Sequence, residues 1–391
     1  MTTKSKVPQI RFKGFNQKWD NNKFEEITTI NQGLQIAISN RFTQKIDGSY
    51  FYITNEFLKK GSNIKYFILN PPESVLCSKD DVLMTRTGNT GEVVTNIDGA
   101  FHNNFFKIKF DSKKLTKDYL VYFLKLPKTQ KLILSLAGVS TIPDLNHKDF
   151  YSIRIFFSKD IKEQVKIGDY FQQLDKLIEQ KEKKYQKLKQ FKKAMLDKMF
   201  PKNGADTPEI RFKGFIGKWE EKEINELFIV TRGDVLAATE TSSQKSEKMP
   251  YPVYSSQTKN NGLLGFYKKY LFENAITWTT DGANAGTVKY REGKFYSTNV
   301  NGVLLSNDGY ANLAIAEILN NIAWKHVSYV GNPKLMNNVM SKIKIIIPNT
   351  IEEQIQISKY IKQLDKQIDL QQKELEKLKN IKKASLAKMF V

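Results

Sequence analysis

The chain has 391 residues, of which 40% are hydrophobic and 12% aromatic, so it is long enough and apolar enough for two or more packed domains. Lysine and arginine total 62 against 41 acidic residues, a formal charge of +21, which points to a polyanionic partner such as nucleic acid or an anionic membrane surface. A single cysteine excludes an intramolecular disulfide, and with only three scattered histidines we expect no metal site built from Cys and His.

The expected cellular compartment follows from hydropathy. The sequence begins MTTKSKVPQI, without the apolar stretch of a signal peptide. No apolar run approaches the roughly 18 residues of a membrane span. We therefore expect a cytoplasmic protein.

The first element in chain order is a twelve-residue segment that occurs twice. PQIRFKGFNQKW stands at 8–19 and PEIRFKGFIGKW at 208–219, and nine of the twelve positions are identical. The match continues from 23–33 to 223–233 and ends on Gly33 and Gly233. Its arginines and lysines could contact phosphates, whereas its aromatic residues are expected to pack onto a domain or a helix end.

The stretches between the repeated parts differ in sequence and are predicted to be rich in strands. Short runs of β-branched and aromatic residues occur at 49–54, 105–110, 152–157 and 341–347, bounded by Gly, Asn and Pro. Apolar spacing at 117–126 and 311–321 predicts helices. The fold class expected is therefore α+β, with two mixed, strand-rich domains.

Two long helices follow the variable stretches and resemble each other. Residues 163–200 and 353–390 are identical at 20 of 38 positions. Asp160 with Glu163, and Thr350 with Glu353, have the spacing of a capping box, which predicts the same start for both helices. Apolar residues spaced four and three apart predict a coiled-coil seam that consists of Ile167, Phe171, Leu174, Ile178, Tyr185, Leu188, Ile357, Ile361, Leu364, Ile368, Leu375 and Leu378.

The order of elements predicts two equivalent halves. We assign residues 1–157 to a first domain, 158–200 to the first long helix, 201–347 to a second domain and 348–391 to the second long helix. If the helices pair with each other antiparallel, the halves are related by a pseudo-twofold axis. The alternative is that each helix packs on its own domain.

This arrangement resembles the DNA specificity subunit of type I restriction-modification systems. The resemblance rests on the paired P-x-I-R-F-K-G-F-x-x-x-W segments, on the Gln-Leu-Asp-Lys helices at 173–176 and 363–366, and on their alternation with two dissimilar domains. It implies that each variable domain recognises one half of a bipartite, asymmetric DNA site. It also implies that the helices set the spacing of the half-sites and dock two modification (methyltransferase) subunits.

The resemblance further implies a chain without catalysis or cofactor of its own. S-adenosylmethionine, and ATP with Mg²⁺ for restriction, are expected in partner subunits, and a restriction subunit is a possible further partner. Residues 20–157 hold 18 basic and 14 acidic residues and 220–347 hold 14 and 12, so each domain alone should bind DNA weakly. The repeated segments are expected to be structural, because identical residues do not distinguish two half-sites.

The candidate DNA-binding residues lie on loops rich in Gly, Asn and small polar residues, and two of these loops, at 84–94 and 278–288, occupy comparable places in the two halves. Glycine lets such loops approach DNA closely, while Arg and Asn suit contacts with base edges. A plain β-turn role is the alternative for each loop. The candidates are Arg86, Thr87, Asn89, Thr90, His102, Asn103, Asn104, Arg232, Tyr254, Ser255, Ser256, Gln257, Lys259, Trp278, Thr280, Asn284 and Asn299.

Two other classes of function stay open at this point. One is a stand-alone enzyme that modifies or cleaves DNA, since Asp281 with Glu292 and Lys294 loosely resembles a metal-dependent nuclease motif. The other is a basic coiled-coil scaffold at an anionic membrane, although the helices show narrow matched seams rather than one broad apolar face.

Overall fold

The computed structural model describes residues 7–59, 61–138, 141–202, 204–256 and 259–391. The chain divides into two compact units. The first unit combines the chain up to Glu182 with the final segment Glu374–Val391, and the second unit is Lys183–Lys373. Each unit therefore contains one copy of the repeated segment and part of both long helices.

The first unit is built mainly from short strands, with small helices between them. The strands are β1 (Asp20–Lys23), β2 (Thr28–Gln32), β3 (Ser49–Ile53), β4 (Tyr66–Leu69), β5 (Leu76–Cys77), β6 (Val82–Thr85), β7 (Val93–Val94), β8 (Gly99–Phe101), β9 (Phe105–Phe110) and β10 (Arg154–Phe157). The helices are α1 (Phe24–Ile27), α2 (Asn55–Leu58), α3 (Lys117–Leu124), α4 (Pro127–Leu136) and α5 (His147–Ser152). The strands form one sheet in the order β2-β9-β6-β7, a second in the order β4-β3-β8-β5, and the antiparallel pair β1-β10.

The second unit places most of its strands in one sheet. The strands are β11 (Glu220–Glu223), β12 (Ile229–Arg232), β13 (Tyr251–Tyr254), β14 (Leu263–Tyr267), β15 (Phe272–Thr279), β16 (Val288–Ser297), β17 (Asn301–Leu305) and β18 (Lys344–Ile347). The sheet order is β12-β17-β15-β16-β13-β14, and β11 pairs with β18 as β1 pairs with β10. The short helices are α7 (Ile224–Leu227), α8 (Leu313–Ala323) and α9 (Asn337–Met340).

The strands and helices predicted from the sequence are confirmed, with small shifts at their ends. β3, β9 and helix α3 lie within the predicted ranges, while α8 begins two residues later than predicted and ends two residues later. Ser152 was predicted to start a strand but is the last residue of α5, and β18 begins at Lys344 rather than 341. These two strands begin later than predicted because a helical turn precedes each one, and the alternation of residue types does not mark where the turn ends.

The long helices α6 (Ile161–Met199) and α10 (Ile351–Met389) have 39 residues each and run antiparallel to each other within each unit. In the first unit Tyr170 hydrogen-bonds Ser385 at 3.0 Å, and Lys181 pairs with Glu374 at 2.5 Å. In the second unit Tyr185 donates to Gln372 at 3.3 Å. In both units, contacts that lie later on α6 lie earlier on α10, which is the direction predicted for a coiled coil.

The predicted seam residues are shielded from solvent to different degrees along the helices. Ile167, Phe171, Leu174, Ile357, Ile361, Leu364 and Leu375 are buried, while Ile178, Tyr185, Leu188, Ile368 and Leu378 are half-buried. Near the helix starts the seam also joins the domain core, since Ile167 and Phe171 cluster with Tyr119 of α3. Both packing alternatives therefore hold, each over its own part of the helix.

The Gln-Leu-Asp-Lys repeat supplies an ion pair between the long helices in each unit. In the first unit Asp175 contacts Lys382 of the opposite helix and accepts a hydrogen bond from Tyr122 at 2.9 Å. In the second unit Asp365 contacts Lys192 at 2.7 Å. Because Lys192 and Lys382 occupy the same place in the repeat, one sequence motif makes the same contact twice.

Only one of the two predicted capping-box contacts forms at the start of the long helices, namely the contact from the cap side chain to a backbone N–H. The carboxylate of Asp160 accepts the N–H of Lys162 at 2.9 Å, and the hydroxyl of Thr350 accepts the N–H of Glu353 at 3.3 Å. The predicted return contact from Glu163 to the cap is wrong, because the backbone N–H of Asp160 donates to Ser158 instead. Both glutamates bind the repeated segment.

The repeated segment connects the start of one long helix to the end of the other. Arg11 donates two hydrogen bonds to the buried carboxylate of Glu163, at 2.8 and 2.7 Å, and Arg211 does the same to Glu353, at 2.7 Å for both. The N–H of Ile10 donates to the carbonyl of Lys388 at 3.0 Å, as that of Ile210 does to Lys198 at 3.0 Å. The expected structural role of the segment is therefore present in both units.

The Met-Phe pair at the end of each long helix lies in a domain core. Met389 and Phe390 belong to the core of the first unit, where the Phe390 ring lies 4.9 Å from that of Tyr119. Met199 and Phe200 belong to the core of the second unit, where the Phe200 ring lies 6.4 Å from that of Trp219. Helix pairing and domain packing are thus coupled.

Candidate nucleic-acid interface

Two of the predicted loops lie against each other in the first unit. The loop after β6 and the turn before β9 are joined by the N–H of Arg86, which donates to the carbonyl of Asn104 at 2.7 Å. Asn55 at the start of α2 adds a hydrogen bond to the carbonyl of Thr87 at 2.9 Å. The arrangement forms one polar cluster at the ends of β3, β6 and β8.

The second unit repeats this backbone arrangement with other side chains. The N–H of Thr280 donates to the carbonyl of Val300 at 3.3 Å, which joins the loop after β15 to the turn before β17. The N–H of Leu335 donates to Thr280 at 2.9 Å, as that of Leu145 donates to Arg86 at 2.8 Å. The predicted equivalence of the loops at 84–94 and 278–288 is confirmed by these matching contacts.

Gly33 and Gly233 allow the close approach that places these turns. The N–H of Gly33 donates to Phe105 at 3.2 Å and that of Gly233 donates to Asn301 at 3.1 Å. A Cβ at Gly33 would lie 2.2 Å from the carbonyl oxygen of His102, and one at Gly233 would lie 2.0 Å from that of Ser297. Both halves need glycine here, because no side chain fits between strand and turn.

The candidate residues differ widely in exposure. Those exposed to solvent are Asn89, Arg232, Asn284 and Asn299, and those half-buried are Arg86, Thr87, His102, Asn103, Asn104, Tyr254, Ser255 and Ser256. Thr90, Trp278 and Thr280 are buried. Gln257 lies outside the described residues, and Lys259 begins the turn Lys259–Gly262, in which Asn260 and Asn261 have positive φ.

Trp278 is a core residue, and its prediction as a DNA contact does not fit its position. The side chain is 1% exposed, and its indole N–H donates to the carbonyl of Leu335 at 3.0 Å. The ring packs over Gly302 of the neighbouring strand, where a Cβ would lie 2.1 Å away. Trp278 is the next-to-last residue of β15 and points into the core, since side chains alternate along a strand.

Thr90 and Thr280 use their hydroxyls within the protein. Thr90 is 6% exposed and donates to the carbonyl of Pro143 at 2.7 Å. Thr280 is 8% exposed and donates to the carbonyl of Val300 at 2.8 Å. Both hydroxyls therefore stabilise the loops that carry the exposed candidates.

Arg86 is fixed by an ion pair on the segment that precedes α5. Its guanidinium contacts Asp144 at 2.7 Å and lies 5.5 Å from the centre of the Phe106 ring. In the second unit Lys334 takes the place of Asp144 and lies 4.0 Å from Asp281, which is equivalent to Thr87. The same scaffold thus carries opposite charges at the position of Asp144 and Lys334, beside the two loops.

His102 is neutral and anchors its own turn. Its Nδ1 accepts the N–H of Asn104 at 3.2 Å. Burial, and then the positive charge of Arg41, lower the pKa of His102 from its usual value. Because Nδ1 of the neutral imidazole already accepts a hydrogen bond, Nε2 is the ring atom that is available for a further contact.

Sequence reasoning missed Asp144 and Lys334, which contact the two loops. Both lie in a Pro-x-Leu pattern that occurs at 143–145 and 333–335. This short repeat, at the same offset as the long helices, was a signal that could have identified them. Lys289 and Arg291 of β16 were also missed, and no pattern in the sequence marks them as buried.

The described residues contain neither a metal-binding cluster nor a membrane-spanning helix. Within the described ranges, no group of three or more His, Cys, Asp or Glu side chains could hold a metal ion. Among the described helices, none is both long and apolar enough to cross a membrane. Glu292, part of the nuclease-like motif, is exposed and pairs with Lys362 at 2.7 Å.

Comparison with known proteins identifies the class of protein. The family model described as the type I restriction modification DNA specificity domain matches twice, at residues 16–190 and 216–380. The two matches cover most of the chain and follow its internal repeat. The chain therefore belongs to this family.

Individual relatives and a solved structure agree with the family match. A proposed type I specificity subunit from Mycoplasma pneumoniae is 39% identical over 126 residues, which are 32% of this chain and 66% of that protein. The type I restriction enzyme MjaVIII specificity subunit from Methanocaldococcus jannaschii is 26% identical over 194 residues, 49% of this chain and 45% of that protein. The crystal structure of a type I restriction-modification system S subunit from M. genitalium has the same fold, with a TM-score of 0.70 and 19% identity over 98% of this chain and 99% of that one.

Proposed function

We propose that this chain is the DNA-recognition subunit of a type I restriction-modification complex, and that each domain recognises one half of a bipartite, asymmetric site. The observation that carries the proposal is the pair of loop clusters. Their backbones make the same hydrogen bonds around Gly33 and Gly233. Their side chains differ where they face outward, and two unlike half-sites require that difference.

The helix pair is proposed to set the spacing of the half-sites and to dock two modification subunits. One modification subunit per half is supported by the twofold occurrence of the joint that Arg11 forms with Glu163 and Arg211 with Glu353. A structure titled as the type I system's complex assembly shares this chain's fold, with a TM-score of 0.51 over 95% of this chain at 14% identity. S-adenosylmethionine, and ATP with Mg²⁺ if a restriction subunit joins, are assigned to the partners, and the complex is proposed to act on DNA in the cytoplasm.

We also propose that this chain does not catalyse DNA modification by itself. Purified chain with DNA, S-adenosylmethionine and Mg²⁺ is expected to transfer no methyl groups and to cut no DNA. Addition of the modification subunits is expected to start methyl transfer. Methyl transfer or cleavage by the chain alone would favour the stand-alone enzyme instead.

The cellular test is a map of methylated bases in a host with and without this chain. One bipartite motif, with two short specific parts separated by unspecified bases, is expected only when the chain is present. An unchanged set of methylated motifs would count against the proposal. Purified modification subunits alone serve as the control in vitro.

A further inference from the structure

An arginine outside the predicted loops lies beside the polar cluster of the first unit. Arg41 follows the 3-10 turn Ile38–Asn40 and is half-buried. Its Cζ lies 5.2 Å from the centre of the Tyr52 ring, which in turn lies 5.8 Å from the ring of His102. Asn103 ties the same segment to the turn before β9, since it donates to the side chain of Gln35 at 3.2 Å. Arg41 therefore adjoins two of the candidate DNA-binding residues.

The guanidinium of Arg41 is held by one carbonyl and two aromatic rings. Its Nε and Nη2 both donate to the carbonyl oxygen of Ile36, at 2.9 and 2.6 Å. The centre of the Tyr66 ring lies 5.4 Å from its Cζ, on a strand that pairs with that of Tyr52. The hydroxyl of Tyr52 donates to the carbonyl of Leu34 at 2.5 Å and accepts the N–H of Ile36 at 3.0 Å. The segment that orients the guanidinium is thus itself fixed.

One end of this guanidinium has no partner in the described part of the chain. An arginine side chain has five N–H donors, and the carbonyl of Ile36 takes one from Nε and one from Nη2. Nη1 donates to no described residue, and it is not a buried atom. Nη1 and the second hydrogen of Nη2 therefore form a pair of donors that is available for an external acceptor.

The positive charge of Arg41 is not used in an ion pair. Among the described residues, no carboxylate lies within salt-bridge distance of it. The charge does reach Glu56, whose pKa is lowered first by a hydrogen bond from Thr54 and in smaller part by Lys59 and Arg41. A guanidinium that is stacked and oriented but not ion-paired is suited to bind a planar acceptor pair from outside the chain.

The second unit makes the same turn without an arginine. The N–H of Arg41 donates to the carbonyl of Ile38 at 3.1 Å. At the equivalent place the N–H of Thr241 donates to the carbonyl of Ala238, also at 3.1 Å. In both units the next residue bridges to an edge strand, β4 or β14. The backbone of the turn therefore does not require arginine.

The two rings around Arg41 are also replaced in the second unit. Strand pairing places Tyr52 opposite Tyr66 in the first unit and Val253 opposite Gly265 in the second. A Cβ at Gly265 would lie 2.8 Å from the hydroxyl oxygen of Thr241, so the threonine closes onto the space where a ring would stand. The arginine and both tyrosines thus differ together between two equivalent turns.

We propose that Arg41 recognises a guanine in the half-site of the first domain, through the free end of its guanidinium and the O6 and N7 atoms of that base. The inference rests on the proposed function. In the major groove these two acceptors match a guanidinium, and this is the commonest specific contact between proteins and DNA bases. A guanidinium that is already held in place loses little freedom on binding. Because Thr241 stands at the equivalent turn, the contact distinguishes the two half-sites.

The test is the base preference of the chain assembled with its modification subunits, compared with that of Arg41→Thr. This variant gives the first turn the residue of the second, so the turn should still form. Replacement of the recognised guanine by another base should weaken wild-type binding roughly 5- to 150-fold. Arg41→Thr should bind the four bases at that position within about fivefold of each other. Its methylated motif should be relaxed at that position alone.

A guanine analogue tests the contact itself. A duplex with 7-deazaguanine at that position lacks the N7 acceptor and should bind wild type about tenfold more weakly, because a hydrogen bond from a charged donor is lost. Arg41→Thr should not distinguish this duplex from the normal one. Wild-type binding that 7-deazaguanine weakens at no position of either half-site would overturn the inference, whether or not the variant folds.

Lys45→Gln is the matched control, since it removes one positive charge from the exposed part of the same segment. It should leave the base preference unchanged. Unchanged preferences of Arg41→Thr at the other positions of both half-sites would show that the variant is folded.

Three results with Arg41→Thr would contradict the inference. One is a base preference equal to that of wild type. Another is an equal loss of affinity on all duplexes with a salt slope lower by about 0.9, which would assign Arg41 to a phosphate. The third is relaxed preference at several positions of one half-site, which would assign Arg41 to support of the loops. A wild-type complex that methylates no bipartite motif would instead overturn the proposed function.

Discussion

The buried glutamate at the start of each long helix is the residue on which most of the local architecture depends. Glu163 is fully buried and Glu353 nearly so, and the arginine of the repeated segment supplies the opposing charge to each. A carboxylate in such a place is tolerated only while it is paired. The same arginine–glutamate pair occurs in both copies, as Arg11 with Glu163 and Arg211 with Glu353.

Loss of one arginine should therefore be costly. Arg11→Met leaves the carboxylate of Glu163 buried without its cation and should lower the free energy of unfolding by about 3–5 kcal/mol. Arg154→Met on the exposed edge of β10 is the control and should change it by less than about 0.5 kcal/mol. Chemical denaturation measures both, and Glu163→Gln in the Arg11→Met background should recover part of the loss. An unchanged free energy of unfolding for Arg11→Met would show that the Arg11–Glu163 pair does not stabilise the protein.

The two tryptophans of the repeated segments should respond differently to the same substitution. The indole N–H of Trp19 donates to Glu163 at 3.1 Å, whereas that of Trp219 is buried and has no partner among the described residues. A hydrogen bond to a charged group contributes about 1.5–3 kcal/mol. Trp19→Phe should therefore destabilise the protein by about that much more than Trp219→Phe, as measured by denaturant unfolding. Equal losses would mean that the hydrogen bond contributes nothing.

In one cross-strand pair, the larger side chain lies on different strands in the two sheets. Trp278 packs over Gly302 in the second unit, and Met84 lies opposite Phe106 in the first. Gly302→Phe should overpack the site and lower stability by at least about 1–3 kcal/mol. Adding Trp278→Met, which reproduces the first unit's pair, should restore most of it in thermal unfolding. If the double variant is as unstable as the single one, the two sites are not equivalent.

At this scale the sequence predicted which loops are equivalent in the two halves better than it predicted which side chains are exposed. Asn89, Asn284, Asn299 and Arg232 are exposed where prediction placed them, and they stay predictions as DNA contacts. Trp278 was misplaced because the loop was taken to start inside β15. Lys289 and Arg291 were missed because burial of a cation depends on what packs over it, which residue spacing does not encode.

At the scale of elements, the long helices show how far periodicity predicts a structure. The apolar spacing predicted the coiled-coil seam, and Lys192 and Lys382, which interrupt that spacing, are half-buried ion-pairing residues. The capping box was only half right, since a sequence motif does not show that a distant arginine binds its glutamate. Strand pairing order also lay beyond the sequence, because it depends on contacts between residues far apart in the chain.

The ion pairs between the helices should fix their register. Lys192→Asp places a second acid beside Asp365 and Glu317, and should lower the unfolding midpoint because like charges repel in a half-buried seam. Adding Asp365→Lys should restore about 0.5–3 kcal/mol of the lost stability, measured as the coupling energy of the double-mutant cycle. Lys187→Asp, on the exposed side of the same helix, is the control. A coupling energy near zero would show that the pair is incidental.

At the scale of the whole molecule, two domains that differ in sequence are each flanked by repeated segments and helices that are alike. The domain segments 20–157 and 220–347 each lie between a repeated segment and a long helix, so each connects to the same flanking contacts. Family membership is established over both halves of the chain. The central proposal is that the two halves recognise different half-sites, and it can be tested with this chain's own sequence.

The most direct measurement is the methylated motif of a chain in which 220–347 is replaced by a second copy of 20–157. Expressed with the modification subunits, this chain should methylate a bipartite motif whose two halves both contain the bases that the first domain recognises. The wild-type chain, mapped in parallel, should give two different halves. The account would be contradicted if the duplicated chain kept the wild-type second half-site, because the specificity of that half would then lie outside the exchanged domain.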